Sequence, residues 1–244
     1  MVGSDRDAPL ALATLRACRL FGGMDDASLE LVSDALRPRH FRRGETLFHI
    51  GDLGDALFIV ASGHVKIILP PDDGSEPAIL TTIGPGGFFG ELALLDGAHR
   101  SATAVALDAV TTLILRRDAF DRLVDDQPAL RRALLAALAA EIRRLTAQVH
   151  DLHFLDLPSR LAQHLLRSLP HESGTAEDPG AVLPDGEVRL PWPYTQAELA
   201  SMIGGSRQSV NRLLSEYVGA GLIRFEGDEL VIPDVRRLAA AIRR

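Results

Sequence analysis

Phe89-Gly90-Glu91-Leu92-Ala93-Leu94-Leu95-Asp96-Gly97-Ala98-His99-Arg100-Ser101-Ala102-Thr103 is the stretch on which the reading of this 244-residue chain turns. It places a glycine, where backbone can approach a ligand, next to a carboxylate, and an arginine next to a hydroxyl. Arg100 can clamp an anionic phosphate through charge-assisted bonds, and Ser101 adds a donor. Backbone N–H groups near Glu91 and Leu92 supplement them if they open a short helix. Glu91 repels a phosphate but suits the hydroxyl of an attached sugar, so a sugar–phosphate satisfies the set better than either part alone. The same residues also permit an Arg–Glu pair that braces two loops with no ligand at all.

Around this stretch, Phe41 to Leu115 alternates short apolar runs with turn signals: Gly51-Asp52-Leu53-Gly54-Asp55, Ser62-Gly63, Pro70-Pro71-Asp72-Asp73-Gly74 and Gly84-Pro85-Gly86-Gly87. Strand runs such as Ala56 to Val60 and Val65 to Leu69 at this spacing predict a small antiparallel barrel or sandwich. A short helix is expected over Ala27 to Leu36, begun near Asp25-Asp26. Gly84 to Gly90 is glycine-rich but fits neither the dinucleotide nor the P-loop spacing.

From Pro128 the texture changes to Ala-, Leu- and Arg-rich sequence that runs without Gly or Pro to Leu157. Leu134, Leu138, Ile142, Leu145, Val149 and Leu152 recur at steps of 4, 4, 3, 4 and 3. That spacing predicts a long helix with a coiled-coil-like seam. The stripe suits a second copy of the chain in a symmetric dimer, or packing on the chain's own barrel. Asp156-Leu157-Pro158 then reads as an N-cap followed by proline in the first turn of a new helix. An exposed loop is expected over His171 to Gly186.

Thr195-Gln196-Ala197-Glu198 is a capping box opening a helix that carries Leu199, Met202 and Ile203 on one side. Gly204-Gly205 permits a tight turn, and Ser206 can cap a second helix with Val210, Leu213, Leu214 and Tyr217 turned inward. The outward residues at its start are Arg207, Gln208, Ser209, Asn211 and Arg212. Arg can pair with guanine and Gln with adenine in the major groove; an ordinary surface helix pair has the same polar face. A hairpin is expected next, with strands Gly221 to Glu226 and Glu229 to Ile232 joined at Gly227-Asp228.

Composition narrows the classes. One cysteine, Cys18, excludes an internal disulfide, a multi-cysteine zinc site and an all-cysteine iron–sulfur cluster. A net charge of −7 argues against coating nucleic acid by bulk charge, yet leaves a local DNA-reading surface open. The acidity sits before Pro158, with 16 basic against 22 acidic residues, compared with 10 against 11 from there on. No apolar run reaches a membrane span, and the acidic start Met1 to Asp5 makes a poor signal peptide, so the cytoplasm is expected. His150 and His153 lie one helical turn apart without an evident third ligand, so no metal site is expected, and no local motif suggests an enzyme.

Taken together, the cassette at Gly90, Glu91, Leu92, Arg100 and Ser101, the long seam-bearing helix, Phe154-Leu155-Asp156, and the helix pair marked by Thr195, Ser206, Arg207 and Arg212 resemble the cAMP receptor protein (CRP/FNR) family of bacterial transcription regulators. The resemblance spans roughly Leu20 to Ala240. It implies an α+β chain with an N-terminal β-roll, the cyclic-nucleotide-binding sensor domain (1–127), a long central dimerisation helix (128–157) and a C-terminal winged helix-turn-helix DNA-binding domain (158–244). By that resemblance Glu91 holds the ribose 2′-hydroxyl, and Arg100 and Ser101 hold the cyclic phosphate.

Where cAMP-responsive members meet the base with an adjacent Thr-Ser or Thr-Asn pair, this chain has Leu145-Thr146, leaving the one hydroxyl of Thr146. Their base-stacking arginine is matched by Glu141, or by Arg144 after a three-residue slip. Gln208 stands where the best-known members carry glutamate. The implied partners are double-stranded DNA, a second copy of the chain and RNA polymerase. The implied allosteric ligand is a cyclic nucleotide, cAMP favoured, with no resident cofactor. The alternatives are the same regulator answering to cyclic GMP, cyclic di-GMP or no small molecule, and a cyclic-nucleotide module acting on a protein partner.

Overall fold

The structure, a computed structural model, describes residues 7–71, 77–169, 184 and 186–242. The loop expected over 171–186 and the turn residues 72–74 fall largely outside them. The chain forms two compact units, Met1–Ala139 and Ala140–Arg244.

The first unit opens with α1 (Asp7–Ala17) and α2 (Asp26–Ala35). The Asp25 side chain caps α2 by accepting from Ser28 N, as its position before the helix predicts. Eight strands follow: β1 (Arg37–Phe41), β2 (Thr46–Phe48), β3 (Ala56–Ser62), β4 (Val65–Leu69), β5 (Ala78–Ile83), β6 (Phe88–Phe89), β7 (Thr103–Ala106) and β8 (Val110–Arg116), with the six-residue helix α3 (Glu91–Asp96) between β6 and β7. They pair antiparallel in two four-stranded sheets, ordered β1-β8-β3-β6 and β2-β7-β4-β5.

The period of two in a strand explains why β3 is apolar from Ala56 to Ala61. Ala56, Phe58 and Val60 belong to one core with Phe41, Leu47, Val65, Phe89 and Ala104. The alternate residues Leu57 and Ile59 belong to another, which takes in α1, α2, α4 (Arg117–Asp126) and the first turns of α5 (Pro128–Phe154). A strand buried on both faces reads as a continuous hydrophobic run, and Ala56 to Val60 is one. Cys18 is buried in the helical core, which pushes its thiol up to about 11, so it stays protonated.

Helix α5 is continuous over 27 residues. Leu134 departs from the expected seam: it is 3% exposed and packs with Leu130 and Phe120 in the core of its own unit. Its neighbour Leu135 is 67% exposed. The open stripe therefore runs Leu135, Leu138, Ile142, Leu145, Val149, Leu152, at strict 3-4-3-4-3 spacing. Hydrophobic spacing alone cannot tell which of two adjacent leucines the chain will bury for itself.

In the second unit α6 (Leu157–Arg167) is capped by Asp156, whose side chain accepts from Ser159 N, with Pro158 in the first turn. After α6 come β9 (Val188–Pro191), α7 (Gln196–Ile203), α8 (Arg207–Gly219), β10 (Arg224–Glu226), β11 (Glu229–Ile232) and α9 (Val235–Ala240). The expected hairpin is present, though its first strand begins at Arg224, because Gly221 turns with φ +66°. β9 adds a third strand that the hairpin reading lacked, giving the order β10-β11-β9. Leu161, Leu165, Leu199, Val210, Leu213 and Leu230 form this unit's core. The Tyr217 hydroxyl donates to Pro158 O at 2.8 Å, which ties α8 to the start of α6.

Candidate functional site

Arg100 lies in the first unit, just before β7, and is only 4% exposed. Its Nη1 donates to Gly90 O at 2.7 Å and its Nη2 to Ala56 O at 2.8 Å. The guanidinium stacks 4.3 Å from the Phe48 ring centroid and 5.7 Å from that of Phe58. Its Nε is buried with no acceptor, and no carboxylate pairs with it at ion-pair distance among the described residues. Burial pushes its pKa below the ordinary value. Asp55 and Glu91 oppose the shift, Arg117 adds to it, and Asp52 opposes it. An arginine keeps its proton in such a setting, so the site holds a fixed, under-compensated positive charge with an unused N–H. That chemistry suits an anion.

Gly90 is what lets α3 start here. It has φ +86°, and a Cβ on it would fall 2.6 Å from Arg100 Nη1 and 3.3 Å from Ala56 O. Glu91 is the first residue of α3 and half-buried, whereas Leu92 and Ser101 are exposed. Gly90, Glu91, Leu92, Arg100 and Ser101 thus lie on the short segments that α3 and β7 bring to Arg100. Thr146 lies on α5, exposed, with its hydroxyl donating to Ile142 O at 2.9 Å. Arg144 makes a bidentate pair with Glu141 on the same helix, Nε to Oε2 at 2.8 Å and Nη2 to Oε1 at 2.6 Å. The two residues weighed for the base-stacking position are therefore bonded to each other.

Reading from the sequence missed Arg117. It contacts Gly54, Ala93 and Leu94 through its guanidinium, beside the same cassette. The Arg116-Arg117 pair at the end of an apolar strand was the available signal, and it carries no recognisable spacing. Phe48 and Phe58 were likewise legible only as core residues.

In the second unit the capping box forms as its spacing predicts. Thr195 Oγ1 accepts from Glu198 N at 3.2 Å, and Thr195 N donates to Glu198 Oε2 at 2.9 Å. Gly204 ends α7 in the left-handed region, φ +66°. Ser206 caps α8, its Oγ accepting from Ser209 N at 3.1 Å and donating to Ser209 Oγ at 2.9 Å, so the two hydroxyls serve the helix start. Gln196 Nε2 donates to Asn211 Oδ1 at 2.9 Å, which pins α8 to α7. Arg207, Gln208, Asn211 and Arg212 stand exposed on α8, and Gln208, Ser209, Asn211, Arg212 and Ser215 line a shallow depression. Arg212 pairs with the i+4 residue Glu216 at 3.6 Å.

Two structured sites in one chain narrow the comparison to proteins that hold both. Residues 38–127 match the cyclic nucleotide-binding domain family, and residues 159–241 match the Crp-like helix-turn-helix domain. The CRP-like cAMP-activated global transcriptional regulator of Mycobacterium tuberculosis is 36% identical over 224 residues, covering 92% of this chain and 96% of the relative. The chain belongs to the CRP family of transcription regulators.

Among solved structures, the Catabolite Activator Protein of Thermus thermophilus has 30% identity and a TM-score of 0.51, covering 91% of this chain and 97% of its own. FixK2 from Bradyrhizobium japonicum has a TM-score of 0.73 at 19% identity, over 86% and 98%, a likeness of fold. This CRP-family chain is a cyclic-nucleotide-responsive, DNA-binding transcription regulator with the β-roll, long central helix and winged helix-turn-helix of that family. Among the described residues no helix is long and apolar enough to cross a membrane.

Proposed function

We propose that the ligand is a cyclic nucleotide, cAMP in the first place, held at Arg100, and that its binding raises affinity for a palindromic DNA site. The observation that carries this is the buried Arg100 guanidinium, bonded to carbonyls alone and retaining a free Nε–H. Arg100 and Ser101 are assigned to the cyclic phosphate, Glu91 to the ribose 2′-hydroxyl, Gly90 and Leu92 to the cassette backbone, and Thr146 to the base. The names of cAMP-activated relatives favour adenine. On the DNA side Arg207, Gln208 and Arg212 are assigned to bases. Thr195, Ser206 and Ser209 are assigned to the backbone, where residues at helix starts position rather than specify.

The proposal includes a homodimer through α5. β-branched Ile142 and Val149 alternate with Leu138, Leu145 and Leu152, an arrangement that favours two parallel strands. Residues 1–127, 128–157 and 158–244 are read as sensor, dimerisation helix and DNA-binding domain. A cytoplasmic, non-catalytic role with RNA polymerase as partner belongs to the same reading.

Calorimetric titration with cyclic AMP and cyclic GMP, and mobility shifts on a random-library-selected DNA fragment with and without them, test this directly. Nucleotide binding that strengthens the DNA complex is expected; DNA binding indifferent to both nucleotides removes the ligand assignment and leaves the DNA-binding one. Leu138→Glu with Leu145→Glu is expected to yield a folded monomer in sedimentation, because like charges would face each other across the symmetric contact. A folded dimer in the double variant excludes this face.

A further inference from the structure

Arg117, the first residue of α4, is bonded into the cassette as closely as Arg100 is. Its Nη2 donates to Gly54 O at 2.6 Å and to Ala93 O at 2.8 Å, and its Nη1 to Leu94 O at 3.1 Å. Its backbone N–H donates to Asp55 O at 2.8 Å. Ala93 and Leu94 lie in the last turn of the six-residue α3, whose carbonyls a helix leaves without internal donors. Arg117 therefore caps α3 from a distant point in the sequence.

Arg100 bridges the same two segments from the other end of α3, through Gly90 O and Ala56 O. Two guanidiniums thus lace α3 to residues 54–56, one at the helix entry and one at its exit. The seam between these segments is tight: a Cβ on Gly54 would fall 2.2 Å from Ala93 Cβ and 3.5 Å from Arg100 Cζ. Neither arginine meets a carboxylate at ion-pair distance among the described residues. The free Nε–H of Arg100 can take an anion directly, and an anion that also draws on the Nη groups competes with Gly90 O and Ala56 O for the orientation of the guanidinium. The three carbonyl bonds of Arg117 are untouched by that competition, so they are what keeps α3 in place when Arg100 turns to a ligand.

We propose that Arg117 is the positioning residue of the anion site: it holds α3 against residues 54–56 while Arg100 engages the phosphate, and, as the first residue of α4, it transmits any displacement of α3 to that helix. This rests on the cyclic-nucleotide reading above. The full-length wild type, Arg117→Gln and Arg117→Lys are titrated with cyclic AMP and cyclic GMP as probes. The gain in DNA affinity at saturating nucleotide is measured on one selected fragment, with thermal melting alongside.

Arg117→Gln is expected to weaken nucleotide binding about tenfold or more, the scale of one charged hydrogen bond. It is also expected to reduce the gain at saturation, which a merely structural arginine would leave unchanged. Arg117→Lys, which keeps the charge but not the planar fork, should recover part of the affinity and little of the gain. Wild-type affinity and gain in Arg117→Gln overturn the proposal, and so does a lower melting temperature with both quantities unchanged. If Arg117→Gln loses its melting transition, Arg117→Lys decides by the same two readouts; unfolding of both variants makes Arg117 a stability residue and overturns the proposal. A wild type that binds neither probe overturns both readings, whereas normal wild-type binding with an indifferent Arg117 overturns this one alone.

Discussion

Two positively charged regions of this protein are built on opposite plans. At the cassette, Arg100 is buried, lies over the Phe48 ring with Phe58 alongside, and is oriented by two carbonyls. On α8, Arg207 and Arg212 stand in solvent, the latter beside Glu216 at 3.6 Å. A small anion brings little surface of its own, so the protein must supply charge and geometry in advance and bear the desolvation. A DNA groove supplies phosphates, shape and base edges, so side chains on a firmly capped helix can order on contact. What the structure fixes around α8 is accordingly its frame: the Thr195–Glu198 box, the Ser206 cap and the Gln196–Asn211 bond.

If that contrast is right, the largest effect belongs to the buried arginine. Arg100→Ala should weaken cyclic-nucleotide binding by roughly 2–5 kcal/mol, the scale of truncating one partner of a buried charged contact. Calorimetry on the full chain measures it, and an unchanged affinity would place the anion elsewhere and dissolve the contrast.

The next effect tests whether the DNA-binding unit also hides a group at odds with its surroundings. His164 on α6 has a buried Nε2 without a partner, and burial, with Arg167 nearby, pushes its pKa down to about 4. The unfolded chain therefore binds the extra proton first, near the ordinary value of about 6.5. The stability that neutral His164 allows is complete above that pH and is lost as pH falls through 4, by about 3 kcal/mol in all. Thermal melting of the full chain between pH 7.5 and pH 4.5, values chosen to span about that interval, should show the transition of the DNA-binding unit falling. In His164→Leu that fall should be much shallower. Equal slopes in the two proteins would mean that His164 protonates without cost.

The smallest expected change is one of specificity. Glutamate accepts from cytosine N4, while Gln208 can pair bidentately with adenine. Gln208→Glu should shift the facing base pair of the half-site toward cytosine, a change in discrimination of about 1–3 kcal/mol, with other positions kept. Site selection from a random library at one salt concentration reads this out. A selected motif identical to the wild type's would mean that Gln208 meets no base, and that exposure on α8 is a poor guide to readout.

What could be read in the chain before folding was whatever depends on neighbours in sequence. The Thr195–Glu198 box, the Ser206 and Asp156 caps and the apolar run of β3 all act within a few residues, so their spacing carries their meaning. The cassette was legible for the same reason, since Gly90, Glu91, Arg100 and Ser101 lie within twelve positions. The structure alone decided the rest, because it turned on contacts between distant segments. Leu134 rather than Leu135 is buried because α5 presents it to Leu130 and Phe120. β9 is a strand because Val188 to Pro191 finds the open side of β11. Arg117 reaches Gly54 and α3 because β8 ends opposite Gly54 and the last turn of α3, 63 and 23–24 residues away in sequence. A donor that bonds carbonyls leaves no mark in the sequence of its partners, since every residue has a carbonyl to offer.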